Sequence, residues 1–180
     1  MKIVKLISTH RLDPEKGWDL IVSRLHKVLN PEFPKNYTIQ YDIYWDGSMR
    51  PQIEELAKLY PDYISYYGYM PLKKIFKNSL DYDFVLMPSR FLETFGLSAL
   101  DFAQFGIPTI GYKKGGVSPF ILDSLNILNY KGENEQAQFD AAMQGILWAD
   151  SYPTVDQKSI KDTYSVGQWI QQFDTIVENN

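Results

Sequence analysis

The sequence predicts an α/β fold in which helices cover both faces of a parallel β-sheet, a doubly wound arrangement. Short runs rich in β-branched and aromatic residues alternate with segments of helical periodicity along the chain. One of these runs, "DFVLMP", is almost wholly apolar, as expected for a central strand of a parallel sheet. At 180 residues, 44% of them hydrophobic, the chain suits one domain with a substantial core.

The first four predicted strands alternate with three helices. Leu20, Ile21 and Leu25 recur near helical spacing after the first strand, and a proline occupies the first turn of the next helix. In order, the predicted elements are the strand Lys2–Ser8, the helix Pro14–Leu29, the strand Tyr37–Trp45, the helix Pro51–Tyr60, the strand Tyr63–Gly68, the helix Pro71–Ser79 and the strand Asp83–Pro88.

The second half of the chain continues the alternation of strands and helices and ends in helices. Ser165 is predicted to cap the last helix. Strictly alternating strands and helices favour a parallel sheet with crossover connections. The predicted elements are the helix Gly96–Phe105, the strand Ile107–Tyr112, the helix Ser118–Leu125, the strand Asn126–Tyr130, the helix Glu133–Ala149 and C-terminal helices over about 155–180.

Composition and charge exclude several classes of function. The net charge of -4 argues against nucleic-acid binding, and the lack of cysteine removes disulfides, thiolate metal sites and cysteine nucleophiles. The two histidines, His10 and His26, are separated by a predicted helix, which disfavours a histidine metal site. The N-terminus turns polar too soon for a signal peptide, and no apolar run approaches a membrane span. We therefore expect a cytoplasmic protein without a thiolate or histidine metal site.

The turns that follow the strands are the candidate sites, because ligands bind at the carboxyl ends of the strands in such sheets. After the first strand, "STHRLDPEKGW" places Arg11 and Lys16 around a turn that opens a helix. Two cations near a helix N-terminus favour an anionic ligand. The alternative, on spacing alone equally favoured, is that both are solvated surface charges with Asp13 and Glu15 as neighbours.

The segment "PSRFLETFGLSALD" follows the fourth strand. Ser89 and Glu93 lie in the predicted loop, and Gly96 permits a close approach to the amides that begin the next helix. Glu93 has the alternative role of a helix-capping acid. Asp101 is the one carboxylate in an otherwise apolar helix, and a buried carboxylate needs a partner. We expect that partner to be a polar ligand at the strand ends.

Two further turns are weaker signals. Gly68 allows a tight turn in "YYGYMP" after the third strand, and "GYKKGGVSP" after the fifth strand contains Lys113 and Lys114 beside glycines. Each of these turns has an ordinary structural interpretation. Together with the other two turns they bring cations, a glycine helix start and carboxylates to one sheet edge, which indicates a phosphorylated, sugar-containing ligand.

The segments "HRLDPEKGWDLI" and "DFVLMPSRFLETFGLSALDFAQFGIPTIGYKKGG" resemble the C-terminal, nucleotide-sugar-binding domain of GT-B glycosyltransferases of group 1, family 4. The resemblance covers nearly the whole chain in order. It implies a Rossmann-like, doubly wound domain over residues 1–180 that corresponds to the C-terminal half of a GT-B enzyme.

The resemblance implies roles for particular residues, of which Arg11, Lys16 and Glu93 are the candidate catalytic residues. Arg11 and Lys16 would bind the diphosphate of the sugar donor, and Glu93 the hydroxyls of the transferred sugar. Asp101, the second acid of the E-x7-E motif, would hold the ribose hydroxyls. The remaining candidates are Ser89 in the same loop, the sugar and phosphate contacts Phe95, Gly96 and Leu97, and, near the base, Gly68, Tyr69 and Met70.

The chain departs from the family in three ways. The second acid is Asp101 rather than glutamate, so the ribose must sit closer or be bridged by water. His10 stands before Arg11 where the family has a small residue, and it either crowds the phosphate pocket or adds a donor to it. The sequence also begins at the first strand of the C-terminal domain, so the N-terminal acceptor domain is expected to be missing.

The resemblance implies the donor-binding half of a retaining, metal-independent glycosyltransferase of the hexosyltransferase type, which uses a UDP- or GDP-sugar. The alternative is a non-catalytic nucleotide-sugar-binding module, or a subunit that needs a separate acceptor-domain chain. A nicotinamide dehydrogenase is disfavoured, because the G-x-G-x-x-G fingerprint is missing after the first strand.

Overall fold

The computed structural model describes residues 2–29, 37–78, 81–129 and 134–165. It contains five β-strands, β1 (Lys2–Ser8), β2 (Tyr37–Tyr44), β3 (Ile64–Gly68), β4 (Phe84–Met87) and β5 (Thr109–Gly111). The α-helices of these ranges are α1 (Trp18–Val28), α2 (Arg50–Leu59), α3 (Leu72–Asn78), α4 (Leu97–Ala103), α5 (Glu135–Trp148) and α6 (Gln157–Tyr164).

The five strands form one parallel sheet in the order β3-β2-β1-β4-β5. Strand β1 lies at the centre, and its Leu6 pairs with Tyr41 of β2 on one side and with Phe84 of β4 on the other. The chain therefore reverses its direction of growth between β3 and β4, so loops on opposite sides of the reversal meet above β1. Such a reversal is where doubly wound sheets bind ligands.

Helices cover both faces of the sheet, which confirms the predicted fold class. On one face α1, α2 and α5 bury side chains such as Ile21, Ile53 and Met143 against β1, β2 and β4. On the other face α3, α4 and α6 bury Ile75, Phe102 and other apolar side chains. The strand β4 is buried along its whole length, as its apolar sequence predicted.

The first predicted helix is divided. Pro14–Lys16 forms a 3₁₀ turn, and α1 begins only at Trp18, because Gly17 between them has a left-handed backbone with φ of 84°. Gly17 cannot carry a side chain here, since a Cβ atom would lie 2.1 Å from the Pro88 carbonyl oxygen. The division therefore brings the turn after β1 against the loop after β4.

Two predicted elements beyond β5 are wrong. The expected helix Ser118–Leu125 is instead two 3₁₀ turns, Gly115–Phe120 and Asp123–Leu125. Pro119 disfavours a continuous α-helix there, because proline lacks an N–H and restricts the residue before it. The expected strand Asn126–Tyr130 is a 3₁₀ turn at Ile127–Asn129, with a single bridge between Asn126 and Gly111.

The C-terminal predictions are partly covered. Helix α5 matches its predicted position and is capped by Asn134, whose side chain accepts a hydrogen bond from the Ala137 amide at 2.9 Å. Ser165 follows the end of α6, and the last predicted helix lies outside the described residues. Within the described ranges, no helix is long and apolar enough to cross a membrane.

Candidate functional site

A cleft of about 390 Å³ opens at the carboxyl ends of β1, β2 and β4. It contains seven of the predicted site residues, drawn from two turns that are far apart in sequence. Its lining residues are Thr9, His10, Arg11, Lys16, Trp45, Leu72, Met87, Glu93, Thr94, Phe95, Gly96, Leu97, Ser98 and Asp101.

The turn after β1 and the loop after β4 are joined by backbone contacts. The Glu15 carbonyl oxygen accepts hydrogen bonds from the amides of Arg90 at 2.9 Å and Phe91 at 3.1 Å. Gly17 packs directly on Pro88. These contacts set the distance between the turn after β1 and the loop after β4. Of the adjacent residues Lys16 and Gly17, the glycine lets the two segments pack closely, and the lysine supplies the charge in the cleft.

The centre of the cleft is an ion pair between Lys16 and Glu93. The Lys16 Nζ atom lies 2.7 Å from Glu93 Oε1, and the two side chains are only 11% and 17% exposed. The same carboxylate oxygen accepts a second hydrogen bond, from Ser89 Oγ at 3.0 Å. Glu93 is therefore a partner of Lys16 and not a helix-capping acid, since no side chain caps α4.

Ser89 is nearly buried, at 3% exposure, and does not line the cleft. Its hydroxyl points at Glu93, so the side chain orients this carboxylate from behind. A sequence alone does not distinguish such a supporting serine from one that touches a ligand.

Arg11 lies at the mouth of the cleft and is 58% exposed. Its guanidinium pairs with Asp13 and Glu15, each at 3.2 Å. For Arg11 the structure thus matches the surface-charge interpretation of the turn, whereas Lys16 is buried and faces the cleft. The two cations that sequence spacing treated alike differ in burial and in partner.

Asp101 lies on α4 and faces the cleft, half-buried. It makes no hydrogen bond or ion pair with the described residues, and burial raises the pKa of its carboxyl above the ordinary value. The expectation of a partnerless carboxylate is therefore correct for the described part of the chain. Burying a charged carboxylate without a partner costs free energy, and a group that donates hydrogen bonds to Asp101 would remove part of that cost.

The cleft wall between the two acids is backbone and exposed apolar side chains. Phe95 and Leu97 are 51% and 64% exposed, and Gly96 has a left-handed φ of 65° at the start of α4. A Cβ atom at Gly116 would lie 2.1 Å from the Thr94 carbonyl oxygen, so the glycines after β5 allow close packing behind this wall.

Some predicted residues do not line the cleft. Gly68, Tyr69 and Met70 are not among its lining residues, although Tyr69 packs edge-on against the lining residue Trp45 with ring centroids 4.9 Å apart. The two lysines after β5 bond elsewhere, Lys113 to Asp123 at 2.6 Å and Lys114 to the Arg90 carbonyl oxygen at 2.5 Å.

Sequence reasoning missed Trp45, which directly follows β2 and lines the cleft. Its position is the signal that could have found it, because Trp45 stands at the carboxyl end of a strand, where such sheets bind ligands. Trp45 has a φ of 100°, and in the described part of the chain it is the only non-glycine residue with positive φ. Strained backbone of this kind clusters at functional sites.

The chain is similar to known proteins over most of its length. It is 27% identical over 134 residues to an uncharacterized 41.2 kDa protein in the cps region of Klebsiella pneumoniae, covering 73% of this chain and 34% of that protein. It is 32% identical over 116 residues to the glycogen synthase of Hydrogenovibrio crunogenus, covering 63% and 22%. The chain thus spans about a third or less of the length of these curated relatives.

The fold is also that of solved glycosyltransferases. The structure of the pneumococcal O-GlcNAc transferase GtfA in complex with UDP and GlcNAc superposes with a TM-score of 0.65 at 24% identity, covering 97% of this chain and 35% of that one. Residues 2–147 match the family described as glycosyl transferases group 1. The chain therefore belongs to the group 1 glycosyltransferase family.

Proposed function

We propose that this chain is the donor-binding half of a retaining glycosyltransferase that transfers a sugar from a UDP- or GDP-sugar to an acceptor. The observation that carries the proposal is the convergence of Lys16, Glu93 and Asp101 on one cleft at the carboxyl ends of the central strands. One cation and two carboxylates in the same cleft suit a ligand that has both phosphates and hydroxyl-bearing groups.

Lys16 and Arg11 are proposed to bind the diphosphate. As the bond between the anomeric carbon and the phosphate oxygen breaks, its electron pair leaves with the nucleoside diphosphate, whose growing negative charge needs stabilisation. Lys16 Nζ is already at the cleft wall. Arg11 must exchange its contacts with Asp13 and Glu15 for the phosphate, which its exposure allows.

The two acids are proposed to bind hydroxyls at the two ends of the ligand. Glu93 uses one oxygen for Lys16 and Ser89, and its other oxygen, Oε2, makes no hydrogen bond with the described residues. That atom would accept a hydroxyl of the transferred sugar. Asp101 would accept hydrogen bonds from the ribose hydroxyls. These hydroxyls would be the partner that Asp101 lacks within its apolar helix.

The base is proposed to lie against the turn after β3. The Gly68 carbonyl oxygen accepts a hydrogen bond from the Trp45 amide at 2.8 Å, and the Tyr69 ring packs on the Trp45 ring. Gly68, Tyr69 and Met70 would therefore shape this end of the site through Trp45, while Phe95, Gly96 and Leu97 contact the sugar and the phosphates.

A second wall is needed to exclude water from the reacting centre. The chain spans about a third or less of the length of its curated relatives, and the cleft is partly open. We propose that an N-terminal acceptor-binding domain or a partner chain supplies this wall. Transfer is proposed to need no metal ion and no cofactor.

Titration calorimetry with UDP, GDP and their nucleosides tests the proposal. The wild-type chain should bind one of the diphosphates saturably and gain thermal stability from it, because a ligand of the folded state stabilises that state. Asp101→Ala should weaken binding about tenfold or more, since a lost hydrogen bond to a charged group costs roughly 1.5 to 3 kcal/mol.

Lys16→Ala should weaken diphosphate binding more than nucleoside binding, because the lysine is assigned to the phosphates. Lys27→Ala is the matched control. Lys27 lies on α1, pairs with Asp140 and does not line the cleft, so its substitution should leave both affinities unchanged. If neither UDP nor GDP binds the wild-type chain, or if Asp101→Ala binds like wild type, the donor assignment is wrong.

A further inference from the structure

Trp45 has a costly backbone conformation at a place where its ring can reach a ligand. It directly follows β2, is half-buried and lines the cleft. Its φ of 100° lies in the left-handed region, which is unfavourable for a residue with a bulky side chain. Such a conformation persists only where the surrounding structure fixes it.

Contacts with β3 fix the backbone of Trp45. Its amide donates a hydrogen bond to the Gly68 carbonyl oxygen at 2.8 Å, and its carbonyl oxygen accepts one from the Tyr66 hydroxyl at 3.0 Å. Just before it the pairing of β2 with β3 is irregular: Ile43 pairs with Tyr66, and then Tyr44 pairs with Gly68. Irregularities of this kind change the direction of nearby side chains and occur next to active sites.

The residues after Trp45 are fixed against the turn after β1. The Leu12 amide donates a hydrogen bond to the Asp46 carbonyl oxygen at 3.1 Å, and the Leu12 carbonyl oxygen accepts one from the Met49 amide at 2.7 Å. Gly47 packs so closely there that a Cβ atom would lie 2.6 Å from the Leu12 carbonyl oxygen. Trp45 is therefore held from both directions along the chain, and an ordered side chain loses little freedom when it binds a ligand.

The surroundings of the indole suit a flat aromatic ring. Leu72 at the start of α3 and Met87 at the end of β4 line the same cleft. The Tyr69 ring meets the indole at an interplanar angle of 75°, so it does not lie flat on the indole. An aromatic side chain in a cleft can stack on any nucleobase, because every base has a π-face.

The strand order separates the indole from the two acids of the cleft. Trp45 follows β2, whereas Glu93 and Asp101 lie on the loop and helix that follow β4, and the central strand β1 lies between β2 and β4. The two acids are proposed to bind the sugar and ribose hydroxyls, and Lys16, after β1, the phosphates. The base is the remaining part of the nucleotide, and it is the part that carries an aromatic ring.

We propose that the indole of Trp45 stacks on the nucleobase of the nucleotide ligand and supplies much of the affinity for the nucleoside. The inference rests on the proposed function, because it assigns a further residue to the same cleft. Stacking uses the face of the base and not its hydrogen-bonding edge, so the indole accepts either uracil or guanine.

Calorimetry with a nucleoside diphosphate, its nucleoside and pyrophosphate tests the proposal. Trp45→Leu removes the aromatic face but keeps a side chain at the same positive φ, so affinity for the first two ligands should fall about tenfold. Affinity for pyrophosphate, which has no base, should stay unchanged. Trp45→Phe keeps a smaller aromatic face and should lose less. Trp148→Leu is the matched control, since this indole is exposed at the end of α5 and outside the cleft.

Tryptophan fluorescence of the wild-type chain gives a second readout that needs no variant. A base stacked on an indole quenches its emission, so saturating UDP or GDP should quench part of the emission, whereas pyrophosphate should not. The chain has four tryptophans, and Trp45→Phe identifies the source of the signal, because its emission should no longer respond to the nucleotide.

The outcomes separate this inference from the proposed function. If the wild-type chain binds a nucleoside diphosphate with unchanged emission, or if Trp45→Leu binds it as tightly as wild type or more tightly, the stacking assignment is overturned and the donor site stands. Equal losses of nucleotide and pyrophosphate affinity would also overturn it, because the ring would then act on the phosphates. If Trp45→Leu does not fold, the wild-type fluorescence decides. If neither UDP nor GDP binds the wild-type chain, both proposals are overturned.

Discussion

The buried ion pair between Lys16 and Glu93 is expected to stabilise the fold as well as line the cleft. Lys16→Met and Glu93→Gln each remove one charge and leave the other in a site where the side chains are 11% and 17% exposed. Two unit charges 4 Å apart attract by about 4 kcal/mol at an effective dielectric of 20, and desolvation offsets part of this.

Breaking a fully buried pair from one side costs roughly 3 to 5 kcal/mol. Because some water reaches this pair, we expect each single variant to lose about 2 to 3 kcal/mol of unfolding free energy. The double variant removes both charges and should lose less than the sum of the two singles. The expected coupling energy is therefore about 2 kcal/mol.

Urea unfolding of the four proteins measures this coupling, with unchanged m-values as the check that the compactness of the states is the same. The control is the same cycle on Arg50 and Glu54, which also lie 2.7 Å apart but are 51% and 39% exposed. An exposed helix pair should give only about 0.3 to 0.5 kcal/mol. A coupling for Lys16 and Glu93 no larger than that of the control would refute the reasoning from burial.

Three further predictions concern stability. Asp101→Asn should raise the unfolding free energy at pH 7, because burial raises the pKa of this carboxyl: the gain should be absent below its ordinary pKa of 3.8 and appear as the pH rises through the folded-state pKa, measured by urea unfolding across pH. Gly17→Ala should destabilise the protein far more than Gly68→Ala in thermal unfolding, since both glycines have positive φ but only at Gly17 would a Cβ atom strike backbone, the Pro88 carbonyl oxygen. At Trp45, glycine should be more stable than alanine by about 1 kcal/mol in urea, because both lose the indole but only alanine keeps the cost of positive φ.

Each of these predictions has a clear contrary result. A pH-independent effect of Asp101→Asn would mean that the carboxylate is solvated in the folded state. Equal losses at Gly17 and Gly68 would mean that the two loops do not pack as closely as the structure has them. An alanine at position 45 that is as stable as glycine would mean that the backbone there relaxes to negative φ without cost.

The sheet was predictable because its signals are local and repeated. The apolar run Phe84–Met87 indicates a strand buried on both faces, and helical spacing at Ile21 and Leu25 indicates the face of α1 that packs on it. The segment after β5 misled for a physical reason. The adjacent apolar residues Ile127 and Leu128 suit a short strand, but the chain forms a 3₁₀ turn there that buries Ile127 and leaves Leu128 56% exposed.

A site residue was predictable from sequence where its own residue type is unusual for its position. It was not predictable where its role depends on which residues the fold brings next to it. A lone carboxylate in an apolar helix indicates a ligand, and Asp101 faces the cleft as expected. Arg11 and Lys16 differ in exposure because the fold places different carboxylates next to them. The supporting role of Ser89 depends on its hydrogen bond to Glu93. Those are tertiary contacts, which sequence spacing does not contain.

The polar groups of the cleft fall into two kinds, and the difference links stability to binding. Lys16 and Glu93 satisfy each other before any ligand arrives, so the empty site is stable around them. Asp101 has no partner among the described residues, and the cost of burying its charge is recovered only when a ligand donates hydrogen bonds to it. Substitutions should therefore separate stability from affinity: replacing Asp101 by a neutral residue stabilises the empty protein and weakens ligand binding, whereas breaking the Lys16–Glu93 pair weakens both.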